Sequence, residues 1–114
     1  MEAYIISTCA MMIIDIITGV VKALKDQSLS STKAREGLWN KAGYLIIMGT
    51  AAICEYSMTT MDLDIAVPLL GPACLYIFVT ELISVLENVT LINPKLLKFA
   101  GKYLDGIKDS SNTE

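Results

Sequence analysis

Three long apolar runs, each carrying one acidic residue, constrain this chain more than any other feature. They cover about residues 4–24, 42–61 and 65–86 and contain Asp15, Glu55 and Glu81 respectively. With 114 residues and 54% of them hydrophobic, a water-soluble domain has too little interior to hide this much apolar side chain. Three helices of about 20 residues use about 60 positions and leave the rest for connections and a tail. The predicted architecture is therefore an all-α integral membrane protein forming one domain over residues 1–114. It has three transmembrane helices, a short interfacial helix before the second span and a basic amphipathic C-terminal helix.

The runs differ in strength. The first is rich in Ile and Val, worth roughly -3 to -5 kcal/mol on an insertion scale against about +2.5 to +3.5 for a central Asp. The second has only Leu45, Ile46, Ile47 and Ile53 of the strongly apolar kind, roughly -1 to -2.5 kcal/mol, and must offset Glu55. It is marginal alone. The third is the most apolar, at roughly -4 to -7 kcal/mol, with Glu81 displaced toward one end. Pro68 suits the first turn of that helix, whereas Pro72 implies a bend unless the helix begins later.

Composition also excludes several functions. The chain has no histidine, and with it go the usual general base and the first-choice zinc ligand. No catalytic residue, metal or cofactor is assigned, and an enzyme is not expected. A net charge of -3 argues against nucleic acid as a partner. Cys9, Cys54 and Cys74 are isolated in apolar stretches, as small buried hydrophobes are. Met1-Glu2-Ala3 places no Lys or Arg ahead of the first run, so a cleavable signal peptide is not expected.

The cations set an orientation. Lys22, Lys25, Lys33, Arg35 and Lys41 lie between or beside the first two runs, and Lys95, Lys98, Lys102 and Lys108 lie in the tail. The connection around Asp62 and Asp64 has none. The expected topology places the N-terminus outside and the first connection and C-terminus in the cytoplasm, with these cations at the membrane surface. Trp39 and Tyr44 anchor the inner interface, Tyr4 and Tyr56 the outer one.

The cytoplasmic pieces have amphipathic patterns. Ser31 or Thr32 caps a short helix with Ala34, Leu38, Trp39 and Ala42 toward lipid and Lys33, Arg35 and Glu36 toward water. Asn93 and Pro94 begin a second helix over about 94–108, in which Leu96, Ala100, Tyr103, Leu104 and Ile107 form a stripe between lysines. It lies on the lipid surface or packs on the protein's first connection. Residues 109–114 are expected to be disordered.

An acid within a span marks a functional site by default, because it persists only where it finds a partner or water. Each lies in a row of small or polar residues: Thr8, Asp15, Thr18, Gly19 and Lys22; Ala52, Glu55 and Thr59; Cys74, Glu81, Ser84 and Asn88. These rows are expected to face protein. At 1.5 Å per residue, Glu55, Asp15 and Glu81 fall roughly 9, 16 and 22 Å below the outer edge, a staircase and not a metal-binding cluster. Either a polar track or a set of helix contacts at three depths follows, and self-association is favoured in both cases.

The string Asp15-Ile16-Ile17-Thr18-Gly19-Val20-Val21-Lys22-Ala23 is followed by Leu29-Ser30-Ser31 and by Gly37-Leu38-Trp39-Asn40-Lys41. Glu81-Leu82-Ile83-Ser84-Val85-Leu86-Glu87-Asn88 and Pro94-Lys95-Leu96-Leu97 come later. Taken in order, these resemble the toxin-secretion/phage-lysis holin family. The resemblance implies a homo-oligomeric protein of the host cytoplasmic membrane that opens lesions, through which an endolysin, or a toxin in some relatives, leaves without stable binding. An antiholin is a further implied partner. The motif positions are Asp15, Thr18, Gly19, Lys22, Glu81, Ser84, Glu87 and Asn88. Glu36 departs from the pattern by making the connection less basic. Two alternatives stand beside this one: a small ion or proton channel or transporter subunit, and a non-pore antiholin or scaffold.

Overall fold

Residues 2–63, 67–96, 98, 102, 105 and 106 are described by the computed structural model of the chain. Among the described residues, helices α1 (Glu2–Lys25), α2 (Ser31–Thr60) and α3 (Leu70–Ile92) precede a 3-10 turn at Pro94–Leu96. At 1.5 Å per residue they are about 36, 45 and 35 Å long, each enough to cross a hydrocarbon core of about 30 Å. Among the described residues, α1 and α3 are the two helices apolar enough to span a membrane. Glu55, Lys41 and the weaker apolar content set α2 apart from them.

Helix ends follow local chemistry. α1 stops in a turn where the Ser28 amide donates to the Ala23 carbonyl at 2.9 Å and the Gln27 amide to the Leu24 carbonyl at 3.3 Å. This 6→1 and 5→2 pattern needs a left-handed residue, and Gln27 supplies it at φ 55° where glycine is usual. α2 ends in a similar way: Leu63 donates to the Met58 carbonyl at 3.2 Å around Asp62 at φ 53°. Ser30, and not Ser31 or Thr32, is the N-cap of α2, its hydroxyl accepting from the Lys33 amide.

Three expectations change. The interfacial helix and the second span are one continuous helix, because nothing between Asn40 and Tyr44 breaks it; Gly37 and Gly43 sit in open space and each forfeits only about 1 kcal/mol of helix propensity. The third helix begins at Leu70, not 65, with Pro68 outside it. Pro72 consequently falls in the first turn, where a missing N–H leaves no hydrogen bond unmade, and the expected bend disappears. The tail is described only in part. Asn93 accepts from the Lys95 amide at 3.2 Å, the local cap expected there, while Lys98 and Lys102 are helical and exposed. The rest of the 94–108 helix and residues 109–114 lie outside the described residues.

α1 and α3 run parallel and α2 antiparallel to both, as the contacts below establish. Buried or half-buried positions recur at alternating spacings of three and four, the seam of left-handed helix packing. On α3 these are Leu70, Cys74, Ile77, Glu81, Ser84 and Asn88; on α1, Ile5, Thr8, Met12, Asp15 and Gly19; on α2, Lys41, Tyr44, Met48, Ala51 and Glu55. Met12, Met48, Ala51, Leu70, Cys74 and Ile77 form the apolar core. The outer surface is equally apolar: Ile6 on α1, Ile46 and Ile53 on α2 and Leu75 and Tyr76 on α3 are all exposed, as a lipid-facing surface requires.

Candidate functional site

The seams turn polar at one level of the bundle. Asp15, from the middle of α1, points toward α3. Its Oδ1 accepts from the Ser84 hydroxyl at 2.6 Å and from Asn88 Nδ2 at 3.1 Å. Asn88 Nδ2 also donates to Thr18 Oγ1 at 3.1 Å. Gly19 lies at the same level: a Cβ there would stand at an ordinary contact distance, 3.7 Å, from Asn88 Nδ2, so the approach would also accommodate alanine. Six of the residues singled out from sequence, Asp15, Thr18, Gly19, Glu81, Ser84 and Asn88, thus meet at one place.

The seventh member is Lys41, expected at the membrane surface. Its Nζ lies 2.8 Å from Asp15 Oδ2 and 2.7 Å from Glu81 Oε2, with the lysine side chain 13% exposed. One ammonium from α2 therefore bridges carboxylates from α1 and α3. Only such pairing makes a buried charge tolerable.

This overturns the staircase. Because α3 starts at Leu70, Glu81 is eleven residues into its helix, roughly 16 Å, the depth assigned to Asp15. Moving the start by five residues brings the two acids level. Sequence alone leaves Lys41 at the surface because the second apolar run begins at Ala42. The signal was present as alternating three- and four-residue steps from Lys41 through Tyr44, Met48 and Ala51 to Glu55.

Glu55 stands apart from this cluster. Its Oε1 accepts from the Leu69 amide at 2.6 Å and the Leu70 amide at 2.8 Å, at the start of α3. No side chain of α3's own N-cap makes that bond. A carboxylate there satisfies otherwise unpaired amides and meets the positive end of the helix dipole. Of its row, Ala52 packs on the core, whereas Thr59 is exposed and bonds to its own helix.

Other contacts fix the register. Near the start of both helices, Tyr4 lies beside Gly71 and Thr8 Oγ1 is 3.4 Å from the Cys74 carbonyl. At the opposite end, Lys25 Nζ donates to the carbonyls of Leu91 at 3.3 Å and Ile92 at 2.6 Å, capping α3 from α1. Lys25 is therefore engaged with protein as well as placed at the bundle end. Lys22 is half-buried, while Lys33, Arg35, Lys95, Lys98, Lys102 and Trp39 are exposed. Glu87 is also exposed and, among the described residues, joins no side-chain cluster.

The site is an electrostatic clasp. It joins three helices through one cation and two anions, in a layer between the apolar core and the Lys25 end. Among the described residues, no group of three or more Cys, Asp or Glu is arranged to hold a metal ion.

In comparison with known proteins, the family model described as the bacteriophage holin family matches residues 1–109. No curated protein and no solved structure matches the chain.

Proposed function

The chain belongs to the bacteriophage holin family, membrane proteins of phage lysis that are not enzymes, and on that premise we propose that it self-assembles in the bacterial cytoplasmic membrane into a lesion. Through that lesion an endolysin, or a toxin in a toxin-releasing setting, leaves the cytoplasm without binding the protein stably. The chain crosses the bilayer three times, with its N-terminus outside and its tail in the cytoplasm. All nine Lys and Arg residues then fall on the inner side or within the clasp.

The Asp15–Lys41–Glu81 clasp is the observation that carries this reading. It resolves the difficulty of the second span, whose Lys41 and Glu55 are too costly for lipid when unpaired. With Lys41 between two acids and Glu55 on the α3 amides, α2 can cross beside α1 and α3. Such a chain is stable in the membrane yet held by polar contacts that a second copy can also provide. The exposed Leu38, Trp39, Lys33 and Arg35 then sit at the inner lipid surface.

Each of the three acids is tied to a partner inside one chain, which weighs against a proton relay. Inducible expression in bacteria, with and without a cytoplasmic endolysin, tests the proposal. Culture turbidity should collapse and a cytosolic marker appear only when the endolysin is present. Ion leakage with growth arrest but no protein release would indicate a channel. Silence alone, with altered timing of another holin, would indicate an antiholin.

A further inference from the structure

The clasp and the flanks of α2 together say how copies of this chain join. We infer that α2 is exchanged between neighbours on assembly, so that Lys41 of one copy pairs with Asp15 and Glu81 of the next. This rests on the self-assembly proposed above and specifies its interface.

α2 is the least committed of the helices. α1 and α3 are linked along their lengths at Thr8, Asp15, Thr18 and Lys25. α2 buries only Met48 and Ala51 fully, and leaves Leu45, Ile46, Ile47, Ile53 and Tyr56 exposed. Its polar attachments are Lys41 at one level, donating to the Asp15 and Glu81 carboxylates, and Glu55 at another, accepting from the Leu69 and Leu70 amides. These attachments limit where α2 can go. Released into lipid, it would carry an unpaired ammonium and carboxylate. Docked on another copy, it recovers the same two ion pairs, the same amide cap and the same apolar strip of Leu70, Cys74 and Ile77. A chain already contains every contact of the exchanged state, so exchange adds no foreign interface and its cost is low.

Both flanks of α2 are suited to opening. Each holds a non-glycine residue in the left-handed region, Gln27 at φ 55° and Asp62 at φ 53°, a conformation that extension relieves. Short strained hinges of this kind favour exchange. Asp26–Ser30, five residues, reaches about 17 Å when extended, beyond the roughly 8–10 Å between packed helix axes. A neighbouring α1–α3 pair is thus within reach. Because donor and acceptor are different surfaces, one-way exchange is head-to-tail and propagates into a ring or an open array, whereas reciprocal exchange closes a dimer.

The full chain in two isotopic forms, mixed in equal amounts in phosphatidylethanolamine/phosphatidylglycerol vesicles, tests this directly. A membrane-permeant carbodiimide condenses the Lys41 amine with a neighbouring carboxylate, and mass spectrometry reads which chain supplied each partner. Exchange predicts that roughly half of the Lys41 cross-links to Asp15 or Glu81 are of mixed isotope, by random pairing. Oligomers whose cross-links are all of one isotope overturn this inference alone. A chain that stays monomeric overturns the self-assembly reading and this inference with it. As an independent measurement, a Lys41→Glu chain is co-expressed with one carrying Asp15→Lys and Glu81→Gln. Oligomers and lysis should return only in the mixture, since each α2 then meets its complement in trans. A mixture no better than either chain alone overturns the exchange.

Discussion

Lys41 Nζ donates to Glu81 Oε2 at 2.7 Å, joining α2 to α3, and the same ammonium reaches Asp15 of α1. One side chain thus ties the whole bundle, and its removal strands two acids at once. Breaking a buried pair by deleting one partner costs about 3–5 kcal/mol. Lys41→Met should therefore lower the thermal midpoint of the purified protein in detergent, followed by circular dichroism, far more than Lys41→Arg, which keeps the charge.

The clasp is also a coupled unit. Replacing all three charges together leaves no charge unpaired, and buried triads exchanged for apolar or neutral groups are often neutral or stabilising by about 1–4 kcal/mol. The triple variant Asp15→Asn, Lys41→Met, Glu81→Gln should be more stable than Lys41→Met alone. A mutant cycle over these sites, read from thermal or denaturant unfolding, should be strongly non-additive. If the single costs simply add, the three groups do not act together.

How much of this is legible in the chain depends on what each residue must do. Asp15, Thr18, Gly19, Glu81, Ser84 and Asn88 stand out because polar groups in an apolar helix can only face protein, and the structure brings them together. Lys41 does not, because a cation just outside an apolar run reads as a span boundary, and only the continuity of α2 carries it inward. The level of Glu81 is misjudged for a related reason. Pro68 and Pro72 fit the start of a helix at several registers, and the choice among them falls to Glu55, whose carboxylate captures the Leu69 and Leu70 amides. A long-range cap leaves no local trace in the sequence.

Glu55 accordingly has a stabilising role that hydropathy hides. Considered as a charge in a weak span, its replacement by Leu should help α2 to insert. Considered as a cap, it contributes about 0.5–2 kcal/mol to the start of α3. Glu55→Ala should accelerate amide hydrogen exchange at Leu69 and Leu70, with Glu55→Gln intermediate because its carbonyl can still accept. Unchanged protection at those two amides would show that the cap contributes nothing.

Gly19 should distinguish close approach from propensity. In mid-helix, glycine is disfavoured relative to alanine by about 1 kcal/mol. A Cβ at position 19 meets Asn88 Nδ2 at an ordinary contact distance of 3.7 Å, so Gly19→Ala fits and should leave stability unchanged or raise it by up to about 1 kcal/mol. A longer side chain has no such room. Gly19→Leu must push α1 from α3 at the level where Asn88 bonds Asp15 and Thr18. It should lower the unfolding midpoint by an amount comparable to other overpacked sites, about 1–3 kcal/mol. Because the loss arises from separating Asn88 from its acceptors, Asn88→Ala should make the Leu substitution less costly. An equal penalty in both backgrounds would place the strain elsewhere on α1.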